Sequence, residues 1–227
     1  MMEIMDNKRT PDIRRILLFL LDLAVVAVVT YAVIKMVEST KGGALVSGGL
    51  GALKYYTVLS NIFCAISCLF AALHFIITRG RNLPSWLYVF RLMGSSVVSV
   101  TFLVVILFLG LVYGYKLMFT GVSFWLHLIA PVAAIIGQLL LKSERKLRIR
   151  ASFWGIVPTV FYGVGYISVN AIQWTGTSNP ATDFYRFLAW GWGIGCGIFL
   201  GVFLINWLVS LLYWAIGRKA ENEAKHD

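Results

Sequence analysis

Six apolar runs organise this chain, at about residues 16–37, 55–77, 88–111, 122–141, 153–171 and 188–216. Each holds about twenty residues or more, enough for a helix rising 1.5 Å per residue to cross a hydrocarbon core of about 30 Å. Backbone amides inside lipid must be satisfied within their own segment, and the runs lack the two-residue alternation of barrel strands, so helices are expected. The fold class that follows is an all-α polytopic membrane protein with six transmembrane helices. No linker or compositional break separates the runs, so residues 1–227 are expected to form a single domain. The low-complexity stretch from Lys41 to Gly51, with five glycines, reads as a flexible first loop.

Composition excludes the main rivals. Only 13% of the 227 residues are charged, against 59% hydrophobic, where a soluble domain carries about 25% charge. The chain is too apolar for disorder, and its basic residues are scattered between apolar runs, where a nucleic-acid binder would gather them on one face. No nucleic-acid partner is expected. Cys64 and Cys68 lie one helical turn apart inside an apolar run and Cys196 is alone in another, which suits neither a disulfide scaffold nor a closed zinc site. They read as packing residues, and no metal or cofactor is expected. The first run follows a basic stretch but continues to Lys35 and Glu38 without a small-x-small cleavage pattern, so it reads as an uncleaved span.

Fifteen of the twenty Lys and Arg residues fall on the side of the N-terminus, the second and fourth loops and the C-terminus, counting Arg91 just inside the third run, with Lys35, Lys41, Lys54, Lys116 and Arg186 toward the other side. By the positive-inside rule both termini are expected in the cytoplasm; the cell membrane is the expected location, with the endoplasmic reticulum open if the chain is eukaryotic. Tyr55, Tyr56, Tyr113, Tyr115, Trp125, Trp174, Trp190 and Trp192 then mark the outer boundary. Gly193, Gly197 and Gly201 put three notches on one face of the sixth helix, the pattern of close helix packing.

Polar side chains inside a membrane are costly and therefore informative. Asp22 and Arg91 fall at similar depth on the cytoplasmic side and are expected to form a structural ion pair. Asn206 is expected to make an interhelical hydrogen bond. Near the outer boundary, Thr57, Ser60 and Asn61 share one face of the second helix by i, i+3, i+4 spacing, and His127 lies in the same layer of the fourth. His74 and His226 fall elsewhere, so only His127 can serve an outer-leaflet hydroxyl. An imidazole can take a hydroxyl proton near neutrality. A satisfied structural histidine and an ion or ligand site remain open beside that reading.

Lys54-Tyr55-Tyr56-Thr57-Val58-Leu59-Ser60-Asn61, together with Trp125-Leu126-His127 and Pro131, resembles the androgen-induced, androgen-dependent family of six-helix membrane hydrolases, and its uncharacterised bacterial relatives more closely still. The likeness of fold covers the whole chain, while the specific likeness is confined to these two segments. It implies an intramembrane threonine hydrolase of fatty acid esters of hydroxy fatty acids, with Thr57 as nucleophile and His127 as its partner. Phe124, Trp125 and Leu126 stand where mammalian members carry a more polar stretch. A related acyltransferase group uses Cys, and Cys64 lies two turns below Thr57. On this reading Ser60 or Asn61 supplies oxyanion hydrogen bonds, Asn170 and Gln173 orient the imidazole, and fatty acyl esters enter from the outer leaflet. A small transporter and a non-catalytic lipid-binding scaffold are the alternatives, and the sequence leaves the oligomeric state open.

Overall fold

The computed structural model describes residues 12–39, 48–141 and 147–223, with side chains to residue 218. Most of the glycine-rich first loop lies outside the described residues. Six helices are long and apolar enough to cross a membrane: α1 Ile13–Glu38, α2 Tyr56–Thr78, α3 Ser85–Tyr113, α4 Val122–Leu140, α5 Ala151–Ile172 and α6, whose apolar span is Trp192–Arg218 and whose helix runs to Glu223. No strand element occurs among the described residues. The chain is an integral, multi-pass membrane protein.

Local chemistry sets the helix ends. The Asp12 carboxylate accepts from the Arg14 backbone N–H at 3.4 Å and starts α1. At the end of α2, Arg79 turns left-handed at φ 54° and the Gly80 N–H reaches back to the Phe75 carbonyl at 2.8 Å. This turn satisfies carbonyls that the helix would otherwise leave open, and Pro84 then leads into α3.

α3 is the central element, buried along Leu87, Tyr88, Arg91, Leu92 and the run Gly94–Thr101. Around it α1, α2 and α4 share one core, in which Val25, Val29 and Ala32 meet Val58, Cys64 and Cys68, Val97 and Val98, and Leu126, Ala130 and Ala134. Large apolar residues such as Leu107, Leu111, Phe161, Ile172 and Leu200 face outward. In water such faces would demand a partner, whereas in lipid they are ordinary solvation.

One end of the bundle holds the start of α1 and the C-terminal end of α6. Here the Arg15 guanidinium donates to the Gly80 carbonyl at 2.8 Å and the Trp214 indole to the Leu147 carbonyl at 3.0 Å. The opposite end holds the head of α2 and the α5–α6 connection, joined where the Tyr56 N–H donates to the Tyr185 hydroxyl at 2.8 Å.

Three sequence expectations change. The sixth helix begins at Trp192, later than residue 188, because the Asp183 carboxylate accepts the Leu188 N–H at 3.1 Å and Gly191 takes φ 91°, winding that stretch into turns. α1 and α3 each begin three residues earlier than the apolar runs, so Asp22 and Arg91 lie deeper in the bundle. Gly193, Gly197 and Gly201 do not pack against this chain: a Cβ at any of them would meet nothing within 4 Å.

Two helices widen into π turns, Val105–Leu109 in α3 and Trp125–Ile129 in α4. The second ends two residues before Pro131. Proline has no N–H for the His127 carbonyl and its ring crowds that oxygen, and a wider turn relieves both. In α3 the Tyr115 hydroxyl donates to the Ile106 carbonyl at 2.7 Å, capping an oxygen that the π turn exposes.

Candidate functional site

The π turn of α4 carries His127 at 7% exposure. Its Nδ1 lies 2.9 Å from the carbonyl of Met118, in a short helix Tyr115–Met118 of the α3–α4 connection. A carbonyl only accepts, so Nδ1 carries the hydrogen and the neutral imidazole keeps its lone pair on Nε2. That is the tautomer of a general base.

Asn61 connects α4 to the head of α2. Its side chain is fully buried, and Nδ2 donates to the Thr57 carbonyl at 2.8 Å and to the Leu126 carbonyl at 3.1 Å. Thr57 sits one turn nearer the helix end on the same face, with Leu126 beside His127 in sequence. The layer drawn from depth counting is therefore tied together through Asn61. Both amide hydrogens are committed, so Asn61 offers an acceptor, its buried and unpartnered Oδ1, and no donor for an oxyanion.

The hydroxyl of Ser60 lies 3.1 Å from the Thr57 carbonyl and 2.9 Å from the Thr101 hydroxyl, which locks it between α2 and α3. Thr57 itself is half-buried. Among the described residues its hydroxyl makes no hydrogen bond, to His127 or to anything else. Its backbone N–H, in the first turn where a helix has no i−4 acceptor, is likewise unbonded there.

Neither Asn170 nor Gln173 reaches the imidazole. Asn170 is buried and donates to the Tyr166 and Thr182 carbonyls at 2.9 and 3.2 Å, holding the α5–α6 connection. Gln173 is exposed at the end of α5. The orienting group is the Met118 carbonyl, which no side-chain pattern in the sequence announces.

Sequence reasoning also missed a brace around the α2 head. Burial pushes the Tyr185 phenol up to about 12, so it stays protonated while accepting the Tyr56 N–H. The Tyr56 hydroxyl lies 2.7 Å from that of Thr159, which in turn accepts from Asn206, so α2, α5 and α6 are cross-tied and Asn206 makes an interhelical bond. Tyr162 donates to the Lys54 carbonyl at 2.9 Å, and Tyr166 to the buried Asp183 carboxylate at 2.6 Å.

At the other end, Arg91 Nε donates to Asp22 Oδ1 at 2.9 Å. The same guanidinium donates to the Ser95 hydroxyl, and Ser99 bonds the Ser95 carbonyl at 2.7 Å and lies 2.6 Å from the Tyr213 hydroxyl. A Cβ on Gly137 would stand 2.8 Å from Arg91 Nη2, so a larger residue there would push the guanidinium aside. Cys64 and Cys68 are buried in α2 and unbridged. No cluster of three metal-ligating side chains occurs among the described residues.

Compared with protein-family models, curated proteins and solved structures, the chain matches none.

Proposed function

We propose that this membrane protein hydrolyses lipid esters, with Thr57 as nucleophile and His127 as general base. One observation carries the reading: His127 is held through Nδ1 by a backbone carbonyl, with Nε2 left as the acceptor, in a π turn that Asn61 ties to the turn carrying Thr57. π turns recur at functional sites, and the resemblance of the two segments assigns the same two residues.

In the reaction, Thr57 Oγ1 attacks the acyl carbonyl carbon while Nε2 takes the hydroxyl proton. The tetrahedral oxyanion takes a hydrogen bond from the Thr57 N–H, which also lies at the positive end of the α2 dipole. Collapse expels the alcohol, which receives the proton from Nε2. Water, deprotonated by Nε2, then cleaves the acyl-threonine and regenerates the hydroxyl. Thr57 and His127 are not hydrogen-bonded in the free protein, and substrate binding closes that distance, as catalytic hydrogen bonds often tighten only in the complex. Fatty acid esters of hydroxy fatty acids are the proposed substrates. The charge bias supports cytoplasmic termini and so a site in the outer leaflet, with the cell membrane as the proposed location.

A fluorophosphonate probe applied to membranes tests the reading, because it reacts with an activated hydroxyl and spares a structural one. Wild-type protein should label and Thr57→Ala should not. Well-folded wild-type protein that never labels overturns the proposal. The bond between His127 and Met118, with none to Thr57, favours a second reading in which this layer only fastens the α3–α4 connection. That outcome is the unlabelled one.

A further inference from the structure

The end of the bundle that holds the start of α1 and the α2–α3 turn carries a second polar site, at the opposite end of α2 from Thr57. A cleft between α1, α2 and the α2–α3 turn is lined by Arg14, Arg15, Arg81 and Asn82, with Phe19 and Phe75 among its apolar lining and Asp22 beside them. Phe19 stacks on Phe75 with ring centroids 4.7 Å apart. Three arginines line this space, and Asp12 is the one carboxylate among the described residues whose charge acts on Arg14. Asp22 is bonded to Arg91, and the Asp12 carboxylate caps α1 through the Arg14 backbone N–H. No salt bridge to Arg14, Arg15 or Arg81 forms among the described residues.

The nitrogens themselves are incomplete. Nε of Arg14 and Nε of Arg15 are both withdrawn from the surface and have no hydrogen-bond partner among the described residues. Arg15 is nevertheless held in place, since its Nη1 donates to the Gly80 carbonyl at 2.8 Å. A buried cationic N–H without an acceptor is costly, and two in one cleft are both satisfied by an anion with several oxygens. A guanidinium fork matches phosphate geometry and keeps its charge at every physiological pH. The arginines come from the first turn of α1 and the loop after α2, at the ends of spans where a headgroup layer is expected, and Phe19 and Phe75 line the same cleft.

We propose that this cleft binds a phosphate group between Arg14, Arg15 and Arg81, carried by an anionic phospholipid or present as free phosphate. The site is separate from Thr57 and independent of any hydrolysis there. With an anionic lipid bound, the acyl chains lie along Phe19 and Phe75, and the ligand pins the start of α1 to the α2–α3 turn.

The test uses the full chain purified in detergent, with melting temperature and lipid retention by native mass spectrometry as readouts. Probes are phosphatidic acid, phosphatidylcholine and inorganic phosphate. Phosphatidic acid is expected to raise the melting temperature and to be retained, and phosphatidylcholine, which has no net charge, is not. A matching effect of inorganic phosphate identifies free phosphate as sufficient, and its failure identifies the lipid as the ligand. The double variant Arg14→Gln, Arg15→Gln should weaken binding roughly tenfold or more, the scale of one lost charge-assisted contact. Arg81→Gln, in an exposed turn, should weaken it as well and decides the matter if the double variant does not fold. The proposal is overturned if neither phosphatidic acid nor inorganic phosphate binds, if phosphatidylcholine is retained as well as phosphatidic acid, if binding survives these substitutions, or if Arg148→Gln, at the same end but outside the cleft, weakens it equally.

Discussion

Arg91 Nε donates to Asp22 Oδ1 at 2.9 Å, and Nη2 lies 2.8 Å from the same oxygen without a hydrogen bond, with the two residues only 1% and 5% exposed. Such a pair gives little net stability over an apolar replacement, but breaking it strands a charge. Asp22→Asn is therefore expected to destabilise the protein by about 3–5 kcal/mol, read as a fall in melting temperature. Adding Arg91→Gln should recover part of the loss. Strictly additive losses would show that the two charges are not coupled.

Gly110 and Tyr115 make a second coupled pair. A Cβ on Gly110 would run into the Tyr115 ring, whose hydroxyl caps the Ile106 carbonyl. Gly→Ala within a helix ordinarily stabilises by about 1 kcal/mol. Here the sign should reverse, with overpacking costing roughly 1–3 kcal/mol. Tyr115→Ala in the Gly110→Ala background should remove the clash, so thermal unfolding of the four proteins should be clearly non-additive.

Burial in lipid made the fold legible. Apolar runs of about twenty residues have one structural solution in a membrane, and all six became helices, with ends displaced where Asp183 and Gly191 wind a turn or where Asp12 and Pro84 start a helix earlier. Depth counting brought Asp22 opposite Arg91 and placed Asn61 beside the His127 turn, because helical rise is nearly constant. Backbone partners were invisible to it. The Met118 carbonyl and the unbonded Thr57 N–H exist only once the connection folds back and the helix begins, and neither depends on a side-chain type. The glycine face of α6 misled for a related reason: spacing shows which residues share a face and is silent on what covers it.

Charge bias yields a topological expectation. Fifteen of twenty cationic residues lie toward one side of the bundle, counting the buried Arg91 near that end of α3, which should hold that side in the cytoplasm. In a background lacking the three native cysteines, a cysteine at Arg148 should be protected from an impermeant maleimide in intact cells. One at Thr177, exposed in the α5–α6 connection, should be modified. Labelling in the reverse sense would move the Thr57 layer to the cytoplasmic leaflet.

A nucleophile and its base act as a unit, which gives the proposed mechanism its sharpest consequence. Thr57→Ala and His127→Ala should each remove nearly all ester hydrolysis, and the double variant should lose little more, because either deletion alone stops the same step. Thr57→Ser should keep measurable turnover, since it retains a hydroxyl on the same turn and the same backbone N–H. Asn61→Ala should lower kcat while destabilising the protein by about 1–3 kcal/mol, the scale of leaving a buried carbonyl such as that of Leu126 without a donor. Cys64 is 1% exposed, with its Cα against α3 at Gly94, so Cys64→Ala should leave turnover nearly unchanged. Independent, multiplicative losses for Thr57 and His127 would separate the two residues mechanistically. Near wild-type turnover in Thr57→Ala, with an inactive Ser60→Ala or Cys64→Ala, would move the nucleophile to another side chain of α2.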